Sequence, residues 1–178
     1  MKTAASVVHD EAAPPERNPE NGEGCGGVPT GLCACHRHAP PRESFAFGLD
    51  AETADELAAL VLAGRKRATT SLLAEYEAEG EPQPSTGDRS VILDGAGDPV
   101  CVIETTRVDV RRFDDVDAEF AWVEGEGDRS LGHWREVHRD ALGATCDALG
   151  MAFTPDLAVV CERFEVVWAP TPAPEQLP

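Results

Sequence analysis

Gly64-Arg65-Lys66-Arg67-Ala68-Thr69-Thr70-Ser71 ends one helix and opens a strand, and it gathers cations, hydroxyls and backbone donors in a single short run. Upstream, Asp50 is placed to cap a helix whose apolar Leu57, Leu60 and Val61 share a face, and Gly64 falls where a left-handed C-cap belongs. A new element therefore begins at Lys66. Ala68, Thr69 and Thr70 make it a strand, whose alternation groups Lys66, Ala68 and Thr70 on one face and Arg67 and Thr69 on the other. A twist, bulge or early bend beside the turn is what would bring Lys66 and Thr69 into one pocket.

Working outward, Leu72 to Glu79 reads as a short helix, followed by the breaker-rich loop Gly80-Glu81-Pro82-Gln83-Pro84-Ser85-Thr86-Gly87-Asp88. Strands at Ser90 to Leu93 and Pro99 to Val110 flank Asp94-Gly95-Ala96-Gly97-Asp98, whose glycines suit a tight reversal. Glu104 shares a face with Val100 and Val102, and its ordinary reading is a strand-end carboxylate near solvent or paired with an arginine. Past Phe113 the pattern turns helical, with Asp114 or Asp115 as cap and Phe120, Ala121 and Trp122 as apolar anchors. Glu124-Gly125-Glu126-Gly127-Asp128-Arg129-Ser130-Leu131 then breaks the chain before a helix from Leu131 to Leu142 with Trp134, Val137 and Leu142 inward. Leu157 to Trp168 alternates as a long final strand. Strands with segregated helices give an α+β fold, a small β-barrel with flanking helices.

The periodic apolar pattern lies within residues 45–168, enough for one domain. Residues 1–44 are rich in Pro, Gly, Glu and His with few bulky apolar side chains, so they read as a disordered tail, as do residues 169–178 with their four prolines. No apolar run is long enough to cross a bilayer and no export signal stands at the amino terminus, so the expectation is a cytoplasmic protein without membrane contact. Cys101, Cys146 and Cys161 sit in apolar surroundings and read as reduced, buried thiols. The net charge is −18; residues 45–168 hold 11 Lys plus Arg against 26 Asp plus Glu, a net of −15. So acidic a surface disfavours extended duplex or long RNA tracts. A pocket-sized anion or nucleotide is better matched, because cations cluster at Arg65, Lys66 and Arg67 and again at Arg107, Arg111 and Arg112.

The helix ending in Gly64, the run Lys66-Arg67-Ala68-Thr69-Thr70-Ser71, Thr86-Gly87-Asp88 before a strand, Val102-Ile103-Glu104-Thr105-Thr106, the Glu124 to Leu131 stretch and Val160-Cys161-Glu162-Arg163-Phe164 occur in an order and spacing that resembles the ASCH-domain family. The resemblance spans most of residues 45–168. It implies a PUA-like barrel with a cleft between barrel and helices. Some relatives cleave RNA, and a small relative hydrolyses the amide of acetylcytidine with a lysine, a threonine three residues later and a glutamate. Lys66 and Thr69 match the first two; Glu126 is the first choice for the glutamate and Glu124 the second. This chain carries Leu72 to Pro84 as extra material, so the substrate need not be the same.

Three readings follow from that resemblance. As an amidohydrolase, Thr69 attacks the acyl carbon, Lys66 accepts and returns the proton with Arg65 and Arg67 as charged neighbours, Glu126 orients the lysine or donates to the leaving amine, and amides near Thr70 hold the oxyanion. As a ribonuclease, the cations hold a phosphate while Lys66 or Glu126 acts as base and Tyr76 or Ser130 as donor. As a reader without turnover, Lys66, Arg129 and Ser130 contact phosphate or base, and Trp122 or Tyr76 offers a stacking face; the ordinary reading of Trp122 is core packing. Ser71 and Thr70 line the same pocket as ligand contacts. None of the three requires a cofactor or a metal, the partner is short RNA or a nucleoside, and the oligomeric state is open. Cys25, Cys33, Cys35, His36 and His38 are soft ligands at spacings unlike paired zinc knuckles, and His133 and His138 lie too far around their helix to share a metal.

Overall fold

The computed structural model describes residues 2–3 and 41–170. The cysteine and histidine group between Cys25 and His38, with nearly all of both expected tails, lies outside them. The elements are β1 (Lys2–Thr3), β2 (Glu43–Phe47), α1 (Ala51–Leu62), β3 (Ala68–Leu72), α2 (Leu73–Glu79), β4 (Arg89–Leu93), β5 (Pro99–Arg112), a 3₁₀ turn (Phe113–Asp115), α3 (Ala118–Glu124), α4 (Leu131–Ala148) and β6 (Ala158–Trp168). The strands form one sheet in the order β1-β2-β4-β5-β6-β3, antiparallel at every pairing except β2 with β4. Two bulges bend the β5–β6 pair, one leaving Val167 of β6 unpaired between the Val102 and Ile103 pairings and one leaving Thr106 of β5 unpaired between Thr105 and Arg107, and the sheet curls into a PUA-like half-barrel carrying the helices.

The curl separates two apolar cores. Ala68, Leu72, Phe113, Phe120, Trp134, Leu142 and Cys161 pack between the sheet and α3 and α4; Phe45, Phe47, Leu57, Val61, Ile92, Ile103 and Phe164 pack between the sheet and α1. Each fully buried Phe, Leu or Ile contributes about 1.5–3 kcal/mol by leaving water. Cys101, Cys146 and Cys161 are free and buried in these cores. Burial pushes the Cys101 thiol up to about 11. Burial, reinforced by Glu124, pushes that of Cys161 up to about 12.

The local reading of α1 holds: the Asp50 side chain accepts from Thr53 N at 2.8 Å, Leu57 and Val61 are buried, and Gly64 turns the chain at φ 68°. Directly after the turn, the amides of Arg65 and Lys66 both donate to Leu60 O, at 2.9 and 3.0 Å. Drawn back onto the helix end, Lys66 and Arg67 precede β3 and do not share its alternation. The strands also run longer than read, to Arg112 in β5 and from Arg89 in β4.

Three further expectations are corrected. The α3 cap is Asp117, accepting from Phe120 N; Asp114 and Asp115 lie instead in the 3₁₀ turn. Helix α4 continues to Ala148, since no breaker stronger than Gly143 interrupts it before Gly150. Its inward residues follow i, i+4 as Trp134, His138, Leu142 and Cys146, which leaves Val137 37% exposed.

Candidate functional site around Lys66

Lys66 is wholly buried where the two cores meet. Its Nζ lies 5.0 Å from the centre of the Phe47 ring on one side and 3.6 Å from Glu124 Oε1 on the other. Glu126 Oε1 receives it at 2.5 Å. An ammonium removed from water needs such compensation, because an unpaired buried charge costs several kcal/mol.

The Glu124 carboxylate is saturated with donors. Thr70 Oγ1 at 2.9 Å and Trp134 Nε1 at 2.6 Å donate to Oε2, while His138 Nε2 at 3.1 Å donates to Oε1 beside Lys66. His138 Nδ1 stands 2.9 Å from Trp134 O. Both ring nitrogens thus face acceptors, and the ring satisfies both only with a hydrogen on each. Lys66 and His138 then both present hydrogens to carboxylate oxygens within the site. Burial alone would push the Glu124 carboxyl up; His138 and Lys66 outweigh it and hold the group well below the usual carboxylate range. Glu126 behaves alike, its burial outweighed by Lys66.

Glu126 differs in being the cluster's route to solvent, with 14% of its side chain exposed against none for Lys66 or Glu124. The loop carrying it is anchored to the chain before β3. Arg65 donates through Nε to Gly125 O at 2.9 Å and through a terminal nitrogen to Gly127 O, and Arg67 N donates to Val123 O at 3.0 Å. Gly125 has φ 83°, and a Cβ there would overlap the Arg65 carbonyl, so only glycine permits this approach.

The other expected site residues divide. Thr69 is wholly buried on β3 opposite Glu162, and its hydroxyl has no hydrogen-bond partner among the described residues, Lys66 included. Ser71 Oγ and Tyr76 Oη bond to each other at 2.9 Å. Ser130 caps α4, accepting from His133 N. Arg65 points its guanidinium at carbonyls, not at Lys66, so the groups facing the lysine are carboxylates where arginines were expected. Glu104 is paired with Arg89 at 2.7 Å, the ordinary reading of that residue. Trp122, expected in the core, is 57% exposed, because α3 turns Phe120 and Ala121 inward and leaves the next residue outside. The Arg129 guanidinium lies 4.8 Å from its ring centre. Sequence reasoning passed over Trp134 and His138 as partners of Glu124. Their i, i+4 spacing on a helix entered directly from the Glu124 loop was the available signal.

Cations elsewhere are largely neutralised in place: Arg42 with Asp88, Arg89 with Glu104, Arg107 with Asp109, Arg111 with Asp117, Arg112 with Asp114 and Arg163 with Glu119. Arg65, Arg67 and Arg129, like Arg135 and Arg139 on α4, form no ion pair among the described residues. Among the described residues no group of three or more His, Cys, Asp or Glu side chains could hold a metal, and no helix is long and apolar enough to cross a membrane.

The family model of the ASCH domain matches residues 43–168. Among solved structures, an ASCH domain from Lactobacillus crispatus JV V101 is 39% identical with a TM-score of 0.68, the match covering 71% of this chain and 79% of that one. A protein from Enterococcus faecalis V583 is 35% identical with a TM-score of 0.67, over 73% of this chain and 77% of that one. No curated protein matches the chain.

Proposed function

The chain belongs to the ASCH domain family, generally linked to RNA binding, and from that premise we propose that it binds a short single-stranded RNA or a modified nucleoside at the Lys66 cluster. The observation carrying this reading is where unneutralised cation remains: Arg65, Arg67 and Arg129 border the loop that covers Lys66, whereas most other described cations are already paired with acids. Phosphate at this rim meets cations whose charge is still available. Deeper in, Glu126 can exchange Lys66 for a ligand donor, while Glu124 stays held by Thr70, Trp134 and His138. Tyr76, one donor RNA cleavage would use, is hydrogen-bonded to Ser71, and the Ser130 hydroxyl is held at the α4 cap by accepting from His133 N, so binding is the reading proposed.

One observation favours a second reading, amide hydrolysis. The buried Thr69 hydroxyl without a partner stands three residues after Lys66. Thr69 would attack the acetyl carbon of acetylcytidine, Lys66 would carry its proton to the leaving amine, and water would then cleave the acyl-threonine to acetate. This requires Thr69 to gain a hydrogen bond to Lys66 once ligand is bound.

Wild type, Lys66→Met and Glu126→Gln would be incubated with short single-stranded RNA and with acetylcytidine, binding followed by anisotropy and products by mass. Two or three phosphate contacts give a log–log salt slope of about −1.4 to −2.1, at about 0.7 per contact. Lys66→Met is expected to weaken binding, and Glu126→Gln keeps the test valid if the lysine variant fails to fold. A wild type that holds no RNA and turns over no acetylcytidine would end both readings.

A further inference from the structure

Resting on the nucleotide-binding reading, we infer that Trp122 and Arg129 form a nucleobase subsite at the mouth of the Lys66 cluster, taking one base on the indole and an acceptor oxygen, from phosphate or base, on the guanidinium. The indole is the first observation. A tryptophan 57% exposed leaves apolar surface in water, although the residues before it, Phe120 and Ala121, are buried in a core that holds other aromatics. Such a surface offers a stacking face to a planar partner.

Arg129 is the second observation and stands independently. It is the sole non-glycine residue with positive φ among the described residues, at 64°, a left-handed conformation that costs a long side chain free energy. Its Nε is buried without a hydrogen-bond acceptor among them. One terminal nitrogen reaches Arg65 O at 3.5 Å, the carbonyl directly before Lys66. A strained backbone and an unanswered donor at one residue, held over an exposed indole at 4.8 Å, are costs that an incoming acceptor would offset. Arg67, exposed and bonded through its amide to Val123 O beside Trp122, adds charge at the same mouth. A nucleotide meets every element: its base extends the arginine–indole stack and an oxygen answers Nε.

The test titrates AMP, CMP, GMP and UMP, their nucleosides and ribose 5-phosphate into wild type, Trp122→Phe, Trp122→Ala and Arg129→Lys, by calorimetry and tryptophan fluorescence. Wild type should bind nucleotides more tightly than ribose 5-phosphate, with quenching that Trp122→Phe abolishes while retaining most of the affinity. Trp122→Ala should lose roughly ten-fold, the scale of one base–aromatic stack. Arg129→Lys should weaken binding several-fold although the charge is kept, because the planar donor is gone. Melting curves serve as folding controls, and the exposure of Trp122 makes its variants safe ones. Nucleotide binding unchanged in Trp122→Ala, or binding without quenching, overturns the subsite. If Lys66→Met still weakens RNA binding in that case, the parent reading stands; no binding by wild type to any probe overturns both.

Discussion

Replacing Glu124 by Gln and by Met separates hydrogen bonding from volume, since neither change alters side-chain size much. In Glu124→Gln the amide carbonyl can take the Oε2 position and keep Thr70 and Trp134. The amide nitrogen then faces His138 Nε2, which accepts once that nitrogen gives up its hydrogen, while Nδ1–H stays on Trp134 O. Lys66 retains Glu126 at 2.5 Å. Charge assistance and the 3.6 Å contact of Oε1 with Lys66 are lost, together about 1–3 kcal/mol from the difference between charged and neutral hydrogen bonds. Glu124→Met strands Trp134 Nε1–H, the Thr70 hydroxyl and His138 Nε2 together, and at about 1–3 kcal/mol each the cost is about 5 kcal/mol. That is a large share of the roughly 5–15 kcal/mol stabilising a domain. Urea unfolding at neutral pH measures both, a constant slope confirming two-state behaviour. Equal losses for the two variants would refute the histidine rearrangement, and a Met variant within about 1 kcal/mol of wild type would refute the network itself.

Acid should destabilise the fold through the same carboxyl. Its folded value lies below the unfolded one of about 4.3, so its stabilisation is fully present above that pH and is lost as pH falls through the folded value; Glu124→Gln should melt with a shallower acid dependence than wild type. Gly125→Ala should cost about 2–3 kcal/mol, from its left-handed φ and the overlap with the Arg65 carbonyl, and an unchanged Tm would mean the loop does not need this approach. With thiols raised to about 11 and about 12, Cys101 and Cys161 should resist a disulfide reagent at mildly alkaline pH in the native protein and react once urea unfolds it, as peptide mass mapping would show.

What was legible in the sequence follows the range of the forces involved. The α1 cap at Asp50, the turn at Gly64, the hairpin at Asp94 to Asp98 and the long last strand are set by neighbours within a few residues, and they stand close to where the sequence puts them. The relation of Lys66 to β3 was not legible. It depends on Leu60 O capturing two successive amides, and periodicity alone cannot separate a strand start from such a hook. The inward side of Trp122 was misread for a similar reason: a two-turn helix offers too few residues to fix its phase, and the sheet chose Phe120 and Ala121. The meeting of Glu124 with Thr70 and His138 joins residues 54 and 14 positions apart. The anchoring of the Glu124 loop to Arg65 and Arg67 before β3 and the packing of α3 and α4 against that strand bring those segments together.

The charge pattern makes a stronger argument about ligands than net charge does. A domain at −15 should repel polyanions at long range, yet screening confines that repulsion to about 10 Å at moderate salt, and within it local pairing decides. At Arg89, Arg107, Arg111, Arg112 and Arg163 an acid already occupies the guanidinium. At Arg65 and Arg129 the partners are backbone carbonyls, which orient the side chain and leave its charge intact. An anion approaching the Lys66 loop therefore meets guanidinium charge that no ion pair among the described residues neutralises, against a repulsive background, which restricts binding to ligands small enough to lie within that patch. A short strand or single nucleotide satisfies this, and lengthening the RNA beyond the patch should add repulsion instead of affinity. Comparing oligonucleotides of increasing length at fixed low salt tests it directly: affinity that keeps climbing with length would mean a second cationic tract, and the confinement argued from these ion pairs would be wrong.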